Sequence, residues 1–261
     1  MVYIVRYGEI GVKGDNRIFF ERKLKDNIKL HLKDKKFDKV KRVRGRILIY
    51  SDDNLELLKN IFGIVSFSNA LEVELDIEKI KEACLKLYKK GTFKISASRL
   101  EKDFMFNSEE INKKIGEFVV KNKNAKVNLN NPDKEISIEL FNKKAYVFDN
   151  KTKGLGGLPV GVSGKVAVLL ENENSLAAAF LMMKRGCKVC FVKGKDLEVE
   201  KLKKFYPYKI EVFDKIPEEI DVTVNSETLD SLNENKLKDR IIFKPLIGFK
   251  KEKINEIKDL L

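Results

Sequence analysis

Hydrophobic and polar positions follow two different periods along this chain, and the changes of period divide it. Residues 2–6 form a short apolar run that reads as a strand, and a glycine-rich connection, Tyr7 to Gly14, follows. Phe20, Leu24, Ile28 and Leu32 then recur every four residues, which predicts a helix running to about residue 33, with Asp15 or Asn16 placed to cap it. Strands are expected at 38–43 and 46–50, joined at Arg44-Gly45, then a helix at 54–61 and a strand at 64–73. The order strand, helix, two strands, helix, strand predicts a ferredoxin-like unit.

From residue 76 the pattern starts again. A helix at 77–88 precedes a strand at 92–99 and a second helix at 108–121, with Ser108 in the capping place but no Glu or Gln at the third helical position after it. Two alternating segments, 135–140 and 143–148, predict a hairpin turning at Phe141-Asn142. Five glycines and a proline between Lys151 and Gly164 make an irregular connection. Beyond it, strands (166–170, 188–192, 209–213, 221–224, 240–243) alternate with helices (175–184, 197–204, 226–233, 251–260). That alternation predicts a reduced doubly wound α/β domain. The expected division is 1–75, 76–150, a linker at 151–163, and 164–261, with an α+β front and an α/β back.

The stretch 166–186 is the candidate site. The apolar run from Val166 to Leu170 suits a buried parallel strand, Glu171-Asn172-Glu173-Asn174 is a short polar turn, and a helix opening at Ser175 ends in Lys184-Arg185-Gly186. A strand, a tight turn and a helix N-terminus form a common anion site, because free N–H groups point at the ligand. Glycines let such a turn curl around a pyrophosphate, whereas carboxylates at the rim repel one. Like charges ~4 Å apart cost roughly 4 kcal/mol at an effective dielectric of about 20. Both an altered ATP site and a purely structural turn are compatible with these residues.

Charge sharpens the reading of the front. The chain carries a formal +13, and residues 1–50 hold 15 Lys/Arg against 6 Asp/Glu. Along the first long helix, Arg22, Lys25, Lys29, Lys33 and, just beyond it, Lys36 step by three and four opposite the apolar stripe. Such a ridge can track a phosphate backbone or simply face solvent, and the richness in Lys, Ile, Glu and Asn fits a thermophilic composition equally well. No apolar run nears the ~20 residues of a membrane span, and the first residues enter a strand pattern rather than a leader, so a cytoplasmic location is expected. Cys84, Cys187 and Cys190 are too few for a disulfide framework. Cys187 and Cys190 stand three apart in an expected strand, so they should face opposite sides as ordinary buried thiols. The only histidine, His31, is expected at the surface.

Three successive stretches resemble one family. Arg6-Tyr7-Gly8-Glu9-Ile10, Lys13-Gly14, Asn16-Arg17, Phe20-Glu21 and Gly45-Arg46-Ile47 resemble the ferredoxin-like domain of the ThiI-type tRNA sulfurtransferases, the tRNA 4-thiouridine synthases. Arg99, Lys102, Phe104, Ser108, Gly116 and the run Val127-Asn128-Leu129-Asn130-Asn131-Pro132-Asp133 resemble a THUMP domain. Residues 166–186 are similar to the segment that in this family carries a PP-loop, Ser-Gly-Gly-x-Asp-Ser. Here Ser175 falls on the last Ser and Asn174 on the Asp; Asn172 and Glu171 replace the glycines, Glu173 takes the variable place, and the first Ser has no counterpart. The run from Pro245 to Glu252 is similar to a later family segment.

The resemblance implies tRNA as partner, a homodimer, and a link to tRNA modification, alone or beside a partner enzyme. Arg22, Lys25, Lys29 and Lys33, with Arg99 and Lys102 on phosphate and Phe104 on an exposed base, are the candidate RNA contacts. Active members adenylate uridine at tRNA position 8 and replace its oxygen with sulfur, which needs ATP and a sulfur-carrying cysteine from a later segment. With Asn172, Asn174 and Ser175 in a degenerate loop, the expectation is a tRNA-binding relative with no catalytic residue, metal or cofactor of its own. The alternative is an active sulfurtransferase using ATP and Mg2+.

Overall fold

The computed structural model describes residues 1–43, 45–101, 104–232 and 240–261. Its helices there are α1 (Arg17–His31), α2 (Ile77–Leu87), α3 (Ser108–Lys123), α4 (Ser175–Lys184) and α5 (Lys251–Leu260). The chain groups into two compact units that interleave in sequence: residues 1–6, 35–54 and 66–153 make one, and 7–34, 55–65 and 154–261 the other.

The first unit is built on one nine-stranded sheet of β1 (Val2–Arg6), β2 (Lys39–Val43), β3 (Arg46–Tyr50), β4 (Ser66–Glu74), β5 (Thr92–Arg99), β6 (Lys126–Val127), β7 (Lys134–Phe141), β8 (Lys144–Phe148) and β9 (Thr152–Lys153). Its order is β2-β3-β1-β4-β8-β7-β5-β6, with β9 paired to β4. β5 runs parallel to β6 and β7, and the other pairs are antiparallel. β1 lies inside the sheet, which is why all five of its residues are buried. The last of them, Arg6, is charged. Its Nε donates to Glu139 Oε1 at 2.7 Å and its Nη1 to Ser68 Oγ at 3.0 Å, while Arg46 Nε takes Glu139 Oε2 at 2.9 Å. Removing one member of such a buried group typically costs about 3–5 kcal/mol.

α3 buries Ile111, Ile115 and Val119 in a core with Phe93, Ile95, Ile136 and Ile138. Its cap is Asn107, one residue earlier than the sequence reading placed it. Asn107 Oδ1 accepts from the Glu110 N–H at 3.0 Å and Glu110 Oε2 accepts from the Asn107 N–H at 2.7 Å, a complete capping box. The hairpin between β7 and β8 turns at Asn142-Lys143, with φ of 53° and 55°, the left-handed pair that a two-residue hairpin turn requires.

The second unit holds a parallel sheet of β10 (Lys165–Leu169), β11 (Lys188–Val192), β12 (Val212–Phe213), β13 (Val222–Val224) and β14 (Ile241–Phe243) in the order β12-β11-β10-β13-β14. Successive strands move outward from β10 in one direction and then the other, so the order reverses between β10 and β13. This is the doubly wound pattern, and such a reversal opens a crevice at the strands' carboxyl ends. α4, with Ala177, Ala178 and Ala179 fully buried, packs in a core centred on Phe62, Phe180 and Phe205, whose ring centroids lie 5.0 to 6.1 Å apart.

Three expected helices are only 3-10 turns: Glu56–Asn60, Val199–Lys204 and Leu229–Ser231. In the first, Leu55, Leu58 and Ile61 are buried at a spacing of three, which suits three residues per turn. In the last, Thr228 and Ser231 bond each other's backbone and side chains, which competes with helix formation. The reading of that segment extended to Asn233, which lies outside the described residues. The expected strand at 209–213 forms only at Val212–Phe213. Cys187 and Cys190 are free, buried and packed in separate clusters, but only Cys190 lies in a strand, since β11 begins one residue after Cys187. Burial pushes the Cys190 thiol up to about 11 and the Cys84 thiol up to about 12. No helix among the described residues is long and apolar enough to cross a membrane.

Candidate functional site

α1 opens after a 3-10 turn, Gly14–Asn16. Asn16 occupies the capping position but makes no side-chain cap bond. The helix start is held instead by a polar cluster whose role the sequence did not disclose. Glu21 is 2 % exposed; Arg17 Nε donates to it at 2.6 Å across one turn, and the Tyr7 hydroxyl donates to the same oxygen. Burial, and then the Glu21 carboxylate, push the Tyr7 hydroxyl up to about 12. A Tyr, an Arg and a Glu at these positions were visible in the sequence, but nothing in their spacing showed that all three meet.

With Glu21, Leu24, Asn27 and Ile28 buried on one side, the opposite face presents Arg22 and Lys29 exposed and Lys25 half-buried, and Lys33, in the turn after the helix, is exposed. No side chain of the four makes a hydrogen bond or ion pair with another described residue. His31, expected at the surface, is instead half-buried, with Nδ1 2.9 Å from the Asn27 carbonyl oxygen, because at that position α1 turns toward the unit's interior. Burial lowers its pKa below 6.5.

Arg99 and Phe104 fall in the other unit. Arg99 ends β5, and its Nη1 donates to the carbonyls of Phe104 and Phe106 at 3.3 and 3.0 Å, so it braces the turn that follows. Phe104 is half-buried against the α3 core and meets Phe106 edge-on at 5.6 Å. Between them Met105 is 81 % exposed. Lys102 lies outside the described residues. Arg22, Lys25 and Lys29 thus lie on one helix, with Lys33 in the turn just past its end, and Arg99 with Phe104 form a separate group.

The turn from β10 into α4 is closed by its own side chains. Ser175, fully buried, accepts from the Glu171 N–H at 3.1 Å and the Asn172 N–H at 3.3 Å, while its own N–H donates to the Asn172 carbonyl at 2.9 Å. Asn172 Oδ1 accepts from the Asn174 N–H at 2.8 Å. Glu171 reaches across the reversal of strand order, where its Oε2 accepts from the Ser226 N–H and hydroxyl just past β13, both at 3.3 Å. Glu173 meets Lys195 at 3.4 Å. The chain beyond β11 approaches closely: the Lys195 N–H donates to the Leu170 carbonyl at 2.6 Å, and a Cβ on Gly194 would stand 2.2 Å from that oxygen. A triphosphate needs free amides and room at this point. Two of the loop's leading amides face a serine oxygen, and a carboxylate bridges the crevice, so the residues present do not form the cradle that ATP requires.

Comparison with known proteins places these features in context. The ThiI ferredoxin-like domain family matches residues 2–68, and the THUMP domain family matches residues 74–149. The probable tRNA sulfurtransferase of Mycoplasmopsis synoviae is 44% identical over 195 residues, covering 72% of this chain and 50% of that protein. That of Thermococcus kodakarensis is 42% identical over 204 residues, covering 72% and 54%. The chain therefore spans about half the length of the curated relatives it matches. Among solved structures, PH1313 from Pyrococcus horikoshii superposes with a TM-score of 0.86 at 32% identity, covering 99% of this chain and 98% of that one. A 4-thiouridine synthetase, solved as an RNA complex with bound ATP, superposes with a TM-score of 0.78 at 28% identity, covering 99% and 84%.

Proposed function

The chain belongs to the ThiI-type tRNA 4-thiouridine synthase (tRNA sulfurtransferase) family, and on that premise we propose that it binds tRNA and serves tRNA modification without adenylating the RNA itself. One observation carries the second half: the turn into α4 places Glu171 against Ser226 and turns its leading amides onto Ser175. The first half rests on Arg22, Lys25, Lys29 and Lys33, which have no ion-pair partner among the described residues, and on the THUMP match around Arg99, Lys102 and Phe104. In this reading these four cations, on α1 and in the turn after it, contact the phosphate backbone, and the THUMP stretch adds shape recognition. The functional division follows residues 1–75, 76–150, 151–163 and 164–261, and the protein works in the cytoplasm as a homodimer or beside a modification enzyme.

Binding to tRNA, measured by gel shift from 50 to 300 mM salt, should be steeply salt-dependent; a flat response removes the tRNA half of the proposal. ATP–pyrophosphate exchange in the presence of tRNA and Mg2+ tests the other half, with no exchange expected. A second reading, an active sulfurtransferase with a divergent loop, is supported by the intact strand–turn–helix at β10 and α4 and by the ATP bound in the 28% identical synthetase. Exchange that Ser175→Ala abolishes selects it.

A further inference from the structure

Away from both the loop and the α1 ridge, the second unit brings two more cations to one point. Lys23 of α1 and Lys188 at the start of β11 both place Nζ over the ring of Tyr208, at 5.5 and 4.7 Å from its centroid. The ring is held from behind. Its hydroxyl donates to Asn27 Oδ1 at 2.9 Å, and Asn27, 1 % exposed, donates from Nδ2 to the Val160 carbonyl at 3.0 Å. Gly161 makes the convergence possible. A Cβ there would fall 2.8 Å from Lys23 Cε, 3.2 Å from Lys23 Nζ and 3.3 Å from Lys188 Cε, and its φ of 93° suits glycine.

The charges are not balanced from within. Neither Lys23 nor Lys188 makes an ion pair with a described residue. Lys188 sits in register with Lys165 on β10, a like charge, and Lys165 takes the nearby carboxylate, Glu211, at 2.8 Å. Asp26, one turn along α1 from Lys23, is exposed and makes no bond to it. Two ammonium groups converging on one glycine repel each other, and the Tyr208 ring face offsets this only by about 0.5–1 kcal/mol per cation at an exposed site. What the arrangement lacks is an anion able to take hydrogen bonds from both at once.

We infer that Lys23, Lys188 and the ring of Tyr208 form a clamp for a single backbone phosphate of the bound RNA. This deepens the tRNA-binding reading and rests on it. A phosphate diester offers two terminal oxygens, one for each ammonium, and its unit negative charge relieves the repulsion between them. Because both lysines serve one phosphate, their contributions are coupled, unlike those of residues that meet separate phosphates.

The test compares wild type, Lys23→Gln, Lys188→Gln, the double glutamine variant and the double arginine variant in tRNA binding across a salt series. Each single glutamine variant should lose about tenfold in affinity near 0.1 M salt, and the double variant little more than either. The slope of log affinity on log salt should fall by about one in the double glutamine variant, and the double arginine variant should retain wild-type binding. Wild-type affinity and slope in the double glutamine variant overturn the clamp while leaving tRNA binding by the chain intact. Absence of salt-dependent tRNA binding by the wild type removes the underlying reading, and the clamp with it. Inorganic phosphate, titrated against the protein with isotopically methylated lysines, separates the two phosphate sources. Shifts of both lysine signals with phosphate but not with tRNA mark a small-anion site and overturn the RNA assignment.

Discussion

The exposed face of α1 and the turn before α4 are both charged stretches at a helix, and they differ in what their charges meet. On α1 and in the turn after it, Arg22, Lys25, Lys29 and Lys33 find no hydrogen-bond or ion-pair partner among the described residues. In the turn, Glu171 is held by Ser226 and Glu173 by Lys195, while Ser175 receives two of the turn's amides. A polar group that the fold has already engaged must be released before it can serve a ligand, whereas one left in water binds without that cost. The contrast therefore separates a cationic face left in water from a turn whose polar groups are already engaged.

The largest effect is expected from the open face. Replacing Arg22, Lys25, Lys29 and Lys33 together by Gln should lower the salt slope of tRNA binding by about three and the affinity near 0.1 M salt on the order of a thousandfold. The urea midpoint should stay unchanged, since none of the four has a partner to lose among the described residues. A lowered midpoint with an unchanged slope would show that the ridge belongs to the fold and not to a partner.

The closed turn is tested by opening it. Glu171→Gly with Asn172→Gly removes the bridge to Ser226 and gives the turn the freedom that a phosphate loop needs. Calorimetry with ATP and Mg2+ should detect no binding by the wild type at millimolar nucleotide and weak binding by the double variant. The cost in stability should be about 2 kcal/mol, because Glu171 is exposed with long bonds while Asn172 gives up its 2.8 Å bond to the Asn174 N–H. ATP taken up tightly by the wild type would erase the contrast between the two regions.

Much of this architecture was legible in the sequence because it is carried by local period. The stripe of Phe20, Leu24, Ile28 and Leu32 gave α1, and the apolar run after Gly164 gave β10 within one residue. Short polar segments were less legible. The pattern at 226–233 was compatible with a helix until Thr228 and Ser231 bonded locally. The cap of α3 was missed by one place: counting from Ser108 hides the reciprocal pair that Asn107 makes with Glu110. Asn107→Ala should cost about 1 kcal/mol by thermal or urea unfolding, while Ser108→Ala should cost a few tenths at most. The contacts that close the candidate turn were not legible at all. Ser226 lies 55 residues from Glu171, and only the parallel pairing of β10 with β13 brings their ends together.

The smallest effect tests the other side of α1, the face that the ridge leaves behind. His31 is held neutral by burial, with the Asn27 carbonyl only partly opposing that shift, so its pKa in the fold lies below 6.5. The unfolded chain binds the proton near pH 6.5 and the folded chain only at lower pH. Between those values the unfolded state carries more protons, so stability rises with pH across that window. The contribution is complete above about pH 7 and is lost as pH falls through 6.5 toward the lowered value. Urea midpoints measured from pH 5.5 to 7.5 should therefore decline toward acid in the wild type and stay nearly level in His31→Gln, since the carboxylates titrate mostly below this range. Parallel curves would mean that His31 is as free as the lysines behind it, and that α1 has no buried side to contrast with its open one.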